Sequence, residues 1–560
     1  MSLAEIENTT EIALRPPEHV MRLRRLGSMH LSRLSFTRNL IRTARRERWN
    51  VRRHLFDLDE NGFGRAVYTV SIRGRDYSLV AFSQYLAPED RIDRVIAVAW
   101  DTCYVLYDGI PDQAELDRLA AAVPYQEARR YSERELVLAR ANKSERLFDL
   151  VKSALAAGQQ PEESAIQEIG YLLRTSAVYG NGKFGIADYS VLAQRPEFSG
   201  SFVAEMLTVW LIRNFTVDLV EHCAKMAAPD TAVRLDPHLR RQVGVGNSTG
   251  LGMAPFLVRH PALIHRWIHA REVALARVRA VQSLDPAVQR VIVDLLDGAQ
   301  DKLRQWVTVD FLQGERIETL KGDLVQVREW AADLTAQVFQ PWDLLYRRAE
   351  ATLSLEAQEY LVSILLEPHG ALVDELCSAM AVPGEEMQRL VGSMSCGKLM
   401  GHIKAHYEWA LALDFTDSDA MARFWYTSQE KLEPRLGWRG DDEGDALELP
   451  LGFARDVSRL AAILRDWPED APVSRVAIAH PELRHAIRRV QVVADHPYGE
   501  IHDNLLGSTM RPIDLMRCKL AFFGAEAFDP RSDLSLRIRL FQGAPFADEL
   551  QEEGDDGIGW

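Results

Sequence analysis

Ala66-Val-Tyr-Thr-Val-Ser-Ile72, Arg73-Gly-Arg-Asp76 and Tyr77-Ser-Leu-Val-Ala-Phe82 form the stretch that decides how this chain begins to fold. Two runs rich in Val, Ile, Tyr and Thr flank a short polar segment holding a glycine, the composition of strands joined by a tight turn. Val95 to Tyr107 repeats the bias toward β-formers, so a small antiparallel sheet is expected from Gly64 to Asp108. Beyond Pro111 the apolar period lengthens to that of a helix. Gln113 to Ala122, Glu133 to Ala156, Glu162 to Arg174, Phe202 to Met226 and Leu355 to Leu366 all repeat at three and four residues. Asp285 before Pro286 reads as the cap and first turn of another helix, because proline at N1 loses no hydrogen bond. Leu534 to Phe541 reads as a late strand.

The fold class implied is α+β, a predominantly α-helical multidomain protein with a small N-terminal antiparallel β-sheet. Four consecutive segments are expected: an Arg-rich arm over 1–60, sheet plus helix over 61–130, a helical domain with glycine-rich loops over 131–430, and an α+β region ending in an acidic tail over 431–560. The 560 residues are 47% hydrophobic and 26% charged, which suits globular domains and not a disordered chain. A net charge of −15 makes a general nucleic-acid coat protein a poor fit.

That charge is unevenly spread. Twelve arginines between Arg15 and Arg53 face only Glu18 and Glu47, and Leu31, Leu34, Phe36, Leu40 and Ile41 lie among them at helical spacing. An amphipathic Arg-rich helix follows, docked on the acidic body of the protein or on a second subunit. Nucleic acid or an anionic membrane is the lesser alternative for this segment. Five irregularly spaced cysteines without a C-x-x-C pair suit reduced thiols, and no basic-then-apolar leader opens the chain. Met206 to Val217, the most membrane-like window, is interrupted by Arg213 and Asn214. A cytoplasmic homo-oligomer is expected.

Four places carry residues suited to chemistry. Val243 to Met253 holds Gly244, Gly246, Asn247, Ser248, Thr249, Gly250 and Gly252 ahead of an apparent helix, so its amides and small donors suit a phosphate or carboxylate. It lacks the Lys-Ser/Thr of a P-loop and the βαβ setting of a dinucleotide site, and a plain structural loop is the competing reading. Tyr179, Asn181 and Lys183 are threaded between glycines, with Lys183 able to neutralise an anion or act as a base. His496, Glu500 and His502 concentrate proton-transfer groups in one short stretch, and Arg511 offers a fork for an anion. His402 and His406 share a helical face and suit a metal only if a third ligand arrives from elsewhere. Basic and aromatic residues from His260 to Arg279 read as one solvated helix face.

The functional reading is an enzyme that grips a small anionic molecule in glycine-rich loops, with Lys183, His496, Glu500 or His502 moving a proton in lyase, isomerase or hydrolase chemistry. A nicotinamide-, flavin- or nucleotide-dependent oxidoreductase or transferase is the first alternative, and a binding or assembly protein working through the Arg-rich segment is the second. No cofactor is assigned by the sequence.

Overall fold

The computed structural model describes residues 12–87, 100–125, 132–175, 189–192, 194–250, 260–304, 306, 308, 311–380, 389–416, 425–428, 434–436, 448–450, 454–502, 512–526 and 535–551. The protein is α+β and helix-dominated. Its contacts separate two compact units, one built from 1–33, 250–521 and 530–534, the other from 34–249, 522–529 and 535–560. This division does not follow the four consecutive segments of the sequence reading, because residues 1–33 belong with 250–521.

The unit containing residues 34–249 is organised on the expected hairpin. Strands β1 (Asn50–Leu58), β2 (Gly64–Ile72), β3 (Arg75–Ser83), β4 (Thr102–Asp108), β5 (Glu135–Lys143) and β6 (Tyr171–Thr175) pair antiparallel in sequence order. Ile72 sits opposite Arg75, so Arg73 and Gly74 alone make the turn, and both take positive φ as a hairpin of matching twist requires. The sheet is larger than expected. β7 (Gly244–Gly250) joins parallel to β6, and β12 (Ser535–Leu540) and β11 (Ala525–Glu526) extend it to nine strands.

Both faces of this sheet are covered, which is why β3 is buried along nearly its whole length rather than alternately. The helix Gln113–Ala122 lays Leu116 and Leu119 on Val67, Val80, Val105 and Leu138. The helix Val203–Ala227 covers the opposite face, where the Phe215 ring meets Tyr68 and Tyr104 edge-on at 6.3 and 5.8 Å. The apolar window Met206 to Val217 is therefore a core helix, and no helix among the described residues is long and apolar enough to cross a membrane.

Two helical expectations are corrected here. Glu133 to Ala156 is β5 followed by the helix Phe148–Ala156, and Glu162 to Arg174 is the helix Glu163–Ile169 followed by β6. In each case a β-rich run sits beside a helical one. Sheet pairing, which has no local signature, decides between them.

The other unit is helical, apart from a small sheet of β8 (Trp425–Ser428), β9 (Pro434–Leu436) and β10 (Glu448–Pro450) in the order β10-β8-β9. Cys396–Leu411, Ala454–Leu464, Val473–Ala479 and Arg484–Asp495 share one core around Leu399, Ile403, Val457, Leu460, Val476 and Ile487. The helix Pro261–Arg279 is not half-solvated as expected: His265, His269, Arg271 and Glu272 are all buried. Glu359 on the helix Leu355–Leu366 explains part of this. It accepts hydrogen bonds from Arg15 at 2.8 Å and Arg25 at 2.7 Å, and pairs with Arg271 at 2.7 Å. Arg15 reaches Glu272 with two further bonds of 2.7 Å, and Arg33 grips Asp374 bidentately at 2.7 and 2.8 Å. Three arginines of the basic segment are thus neutralised by acids of the protein's own body.

Candidate functional site

Tyr179, Asn181, Lys183, Gly252 and Arg511 lie outside the described residues. The expected loop at Gly244 is a strand over Gly244–Gly250, which carries Asn247, Ser248 and Thr249 in its backbone. Its first glycines have packing reasons. Gly244 N donates to Gly170 O at 2.8 Å, and a Cβ at Gly244 would stand 2.8 Å from Leu540 O. A Cβ at Gly246 would lie 2.5 Å from the Tyr171 ring. Gly246→Val is accordingly expected to lower stability by about 1–3 kcal/mol through overpacking, read as a lower denaturation midpoint. An unchanged midpoint would contradict the close strand approach.

The histidine-rich turn belongs to the helical unit. Glu500 is fully buried and takes hydrogen bonds from Tyr407 Oη at 2.6 Å, Arg489 Nε at 2.8 Å and Arg489 Nη2 at 3.2 Å. A carboxylate so enclosed is fastened by donors from the side chains of two helices. His496 donates Nδ1–H to Val492 O at 3.0 Å, while its ring meets His265 edge-on at 5.1 Å. His502 donates its backbone N–H to Met21 O at 2.7 Å and stacks its ring on Trp409 at 6.0 Å. His402 and His406 do lie one turn apart on a helix, but the described residues contain no group of three His, Cys, Asp or Glu side chains able to hold a metal. The metal site expected there lacks its remaining ligands among those residues.

Burial acts on these imidazoles together. It lowers the pKa of His30, His369, His402 and His406, and it brings His265, with His269 and His496 beside it, down to about 3. A histidine with a depressed folded pKa binds more protons when unfolded, so stability is lost as pH falls below the unfolded value of about 6.5. The melting temperature is expected to fall steadily from pH 7 to pH 5, with a shallower slope in His265→Gln. A flat profile would contradict the lowered pKa of His265.

A concave site lies elsewhere, within the sheet unit. Asn214, Asp218, Glu221, His222 and Lys225 recur at helical spacing along one face of Val203–Ala227 and line a cleft of about 1120 Å³. β1 and β2 supply Arg53 and Tyr68, the chain from Ala232 to Arg240 forms a second wall, and Ala547 and Asp548 close one end. Tyr68 Oη donates to Asp218 Oδ2 at 2.5 Å, and Arg53 Nη1 donates to the same oxygen at 3.2 Å. His222 Nε2 donates to Asp59 O at 2.8 Å. Gln160 fixes the second wall by donating to Arg234 O and accepting from Asp236 N, both at 2.8 Å. Arg240 binds Asp548 bidentately at 2.8 and 3.0 Å, and Ala547 N donates to Asn214 Oδ1 at 3.0 Å.

Glu221 differs from its neighbour Asp218. One oxygen accepts from Leu235 N at 3.1 Å, and no ion pair holds the group among the described residues. Burial raises its pKa above the ordinary carboxyl value, opposed by the Leu235 hydrogen bond and reinforced by the Asp218 charge. Two carboxyls one helical turn apart therefore have unlike environments, one paired with a guanidinium and one holding its proton to higher pH, which is how acid and base roles are separated. Arg234 is exposed beside them and forms no ion pair among the described residues. Sequence reasoning missed every one of these positions. The available signal was the polar stripe at 214, 218, 221, 222 and 225 on a helix otherwise apolar all round. Compared with known protein families, curated proteins and solved structures, the chain matches none.

Proposed function

We propose that the cleft on the Val203–Ala227 helix is the site of an enzyme of the cytoplasm that binds a small carboxylate or phosphate and moves a proton through Glu221. The observation that carries this reading is Glu221, a carboxyl with raised pKa set in the wall of a cleft beside an ion-paired carboxylate. Arg234 and Lys225 are the cations placed to meet the anion. The charge of Asp218, held by Arg53 and Tyr68, is one cause that raises the Glu221 pKa. Lyase, isomerase and hydrolase steps all use a proton carrier of this kind. A binding role for the basic N-terminal segment gains less support, since Arg15, Arg25 and Arg33 are already neutralised by internal acids.

The test is calorimetric titration with inorganic phosphate and with succinate in buffers of unequal ionisation enthalpy. At least one anion is expected to bind, about tenfold more weakly in Arg234→Gln. Buffer-dependent proton exchange should be present in the wild type and absent in Glu221→Gln. For any substrate turned over here, Glu221→Gln is expected to slow catalysis by about 10²–10⁴. Binding of neither anion, or binding indifferent to both substitutions, would refute the reading.

A further inference from the structure

Resting on that reading, we infer that the ligand of the cleft is a zwitterion, an amino acid or short peptide whose free carboxylate and free ammonium are recognised at opposite charges of the same wall. The cleft lining balances its signs: Arg53, Lys225, Arg234 and Arg240 face Asp218, Glu221, Asp236 and Asp548. Internal pairing then removes most of them. Arg53 holds Asp218, Arg240 holds Asp548, and Asp236 caps the helix Pro237–Gln242 by accepting from His238 N at 2.9 Å. Glu221, Arg234 and Lys225 are left without an ion pair among the described residues, Lys225 donating instead to Pro229 O. Arg234 lies close enough for its charge to act on Glu221, and Leu235, next in sequence to Arg234, donates its N–H to that carboxyl.

A simple anion would satisfy the cations and leave Glu221 without a partner. A simple amine would satisfy Glu221 and be repelled by Arg234 and Lys225. A molecule carrying both groups satisfies both, while the exposed Val233 offers an apolar surface to the carbon atoms between. The volume of the cleft exceeds that of one free amino acid, which leaves room for a second residue. An ammonium group beside Glu221 favours its ionised form.

The experiment compares norleucine, the dipeptide alanyl-leucine, hexanoate and hexylamine by calorimetry on the full-length protein, with succinate and phosphate as reference anions. At least one of the two zwitterions is expected to bind about tenfold or more tightly than hexanoate and hexylamine. Arg234→Gln should reduce that zwitterion to the affinity of hexylamine, and Glu221→Gln should reduce it to the affinity of hexanoate. If hexanoate or succinate binds as tightly as either zwitterion, the ammonium subsite is overturned while the anion-binding reading stands. If hexylamine binds as tightly as they do, the carboxylate subsite is overturned. If no compound of the set binds, both this inference and the reading beneath it fail. The comparison of ligands on the wild-type protein decides the matter even where a variant proves unstable.

Discussion

Glu359→Gln is expected to destabilise the protein by about 3–5 kcal/mol, the largest effect of any single substitution considered. The side chain is fully buried; Arg15 and Arg25 both donate to its Oε1, and Arg271 stands 2.7 Å from Oε2 as an ion pair. Those guanidiniums hold its carboxyl well below the usual range, although burial alone would raise it. The glutamine has nearly the same volume, so the substitution removes charge and leaves packing almost untouched. Arg15 and Arg271 then keep only Glu272 as an ion-pair partner among the described residues and Arg25 keeps none, in a medium where an uncompensated charge is costly. Chemical denaturation should show the loss. Replacing Arg25 by Met in the same chain should restore part of it, because one surplus cation is gone. A change below about 1 kcal/mol would mean that the ionic cluster does not fasten residues 15–25 to the helices.

Arg213→Met is the second large effect, also about 3–5 kcal/mol, and it bears on the cleft as well. Arg213 is fully buried, and among the described residues no carboxylate lies within ion-pair distance of it. Its guanidinium donates instead to Val243 O at 2.6 Å, Ala544 O at 2.7 Å and Arg241 O at 3.0 Å, with the Phe546 ring 3.8 Å from its central carbon. Methionine would remove the guanidinium donor from Val243 O and Ala544 O, at about 1–3 kcal/mol for each that stays dry, while Arg241 O keeps the Gly543 N–H at 2.8 Å. Arg213→Lys keeps the charge but offers a point rather than a planar fork, so an intermediate loss is expected. The turn that Arg213 fastens carries Ala547 and Asp548, which close one end of the cleft. Ligand affinity should therefore fall along with stability in Arg213→Met. Stability lost with affinity intact would separate that turn from the site.

How much of this was legible in the sequence depended on whether a residue's partner was local. The hairpin from Ala66 to Phe82 could be read because period-two apolarity and the Arg73-Gly74 turn lie side by side. The helices Gln113–Ala122 and Leu355–Leu366 appear within the limits their periodicity sets. Gly244 to Gly250 could not be read as a strand, since its glycines carry no β preference and its neighbours β6 and β12 are contributed from distant parts of the chain. Arg33 could be read as basic, but Asp374 stands 341 residues further on. Glu500 was legible as a proton carrier only while Arg489 and Tyr407 remained unknown neighbours. Burial between them turns the same carboxylate into part of the core. The cleft was hidden because its helix reads as core: Asp218 and Glu221 gain meaning only when Tyr68, Arg53 and Leu235 are brought against them by the sheet and the wall after Ala227.

Hydrogen exchange of the full-length protein, with and without the tightest-binding compound of the calorimetric set, addresses the placement of the site directly. Slower exchange is predicted in peptides covering 51–58, 214–225 and 232–240, the three walls that meet at Asp218 and Glu221. Protection confined to 484–502, or to the strand at 244–250, with those walls unchanged, would contradict the assignment of the ligand to this cleft.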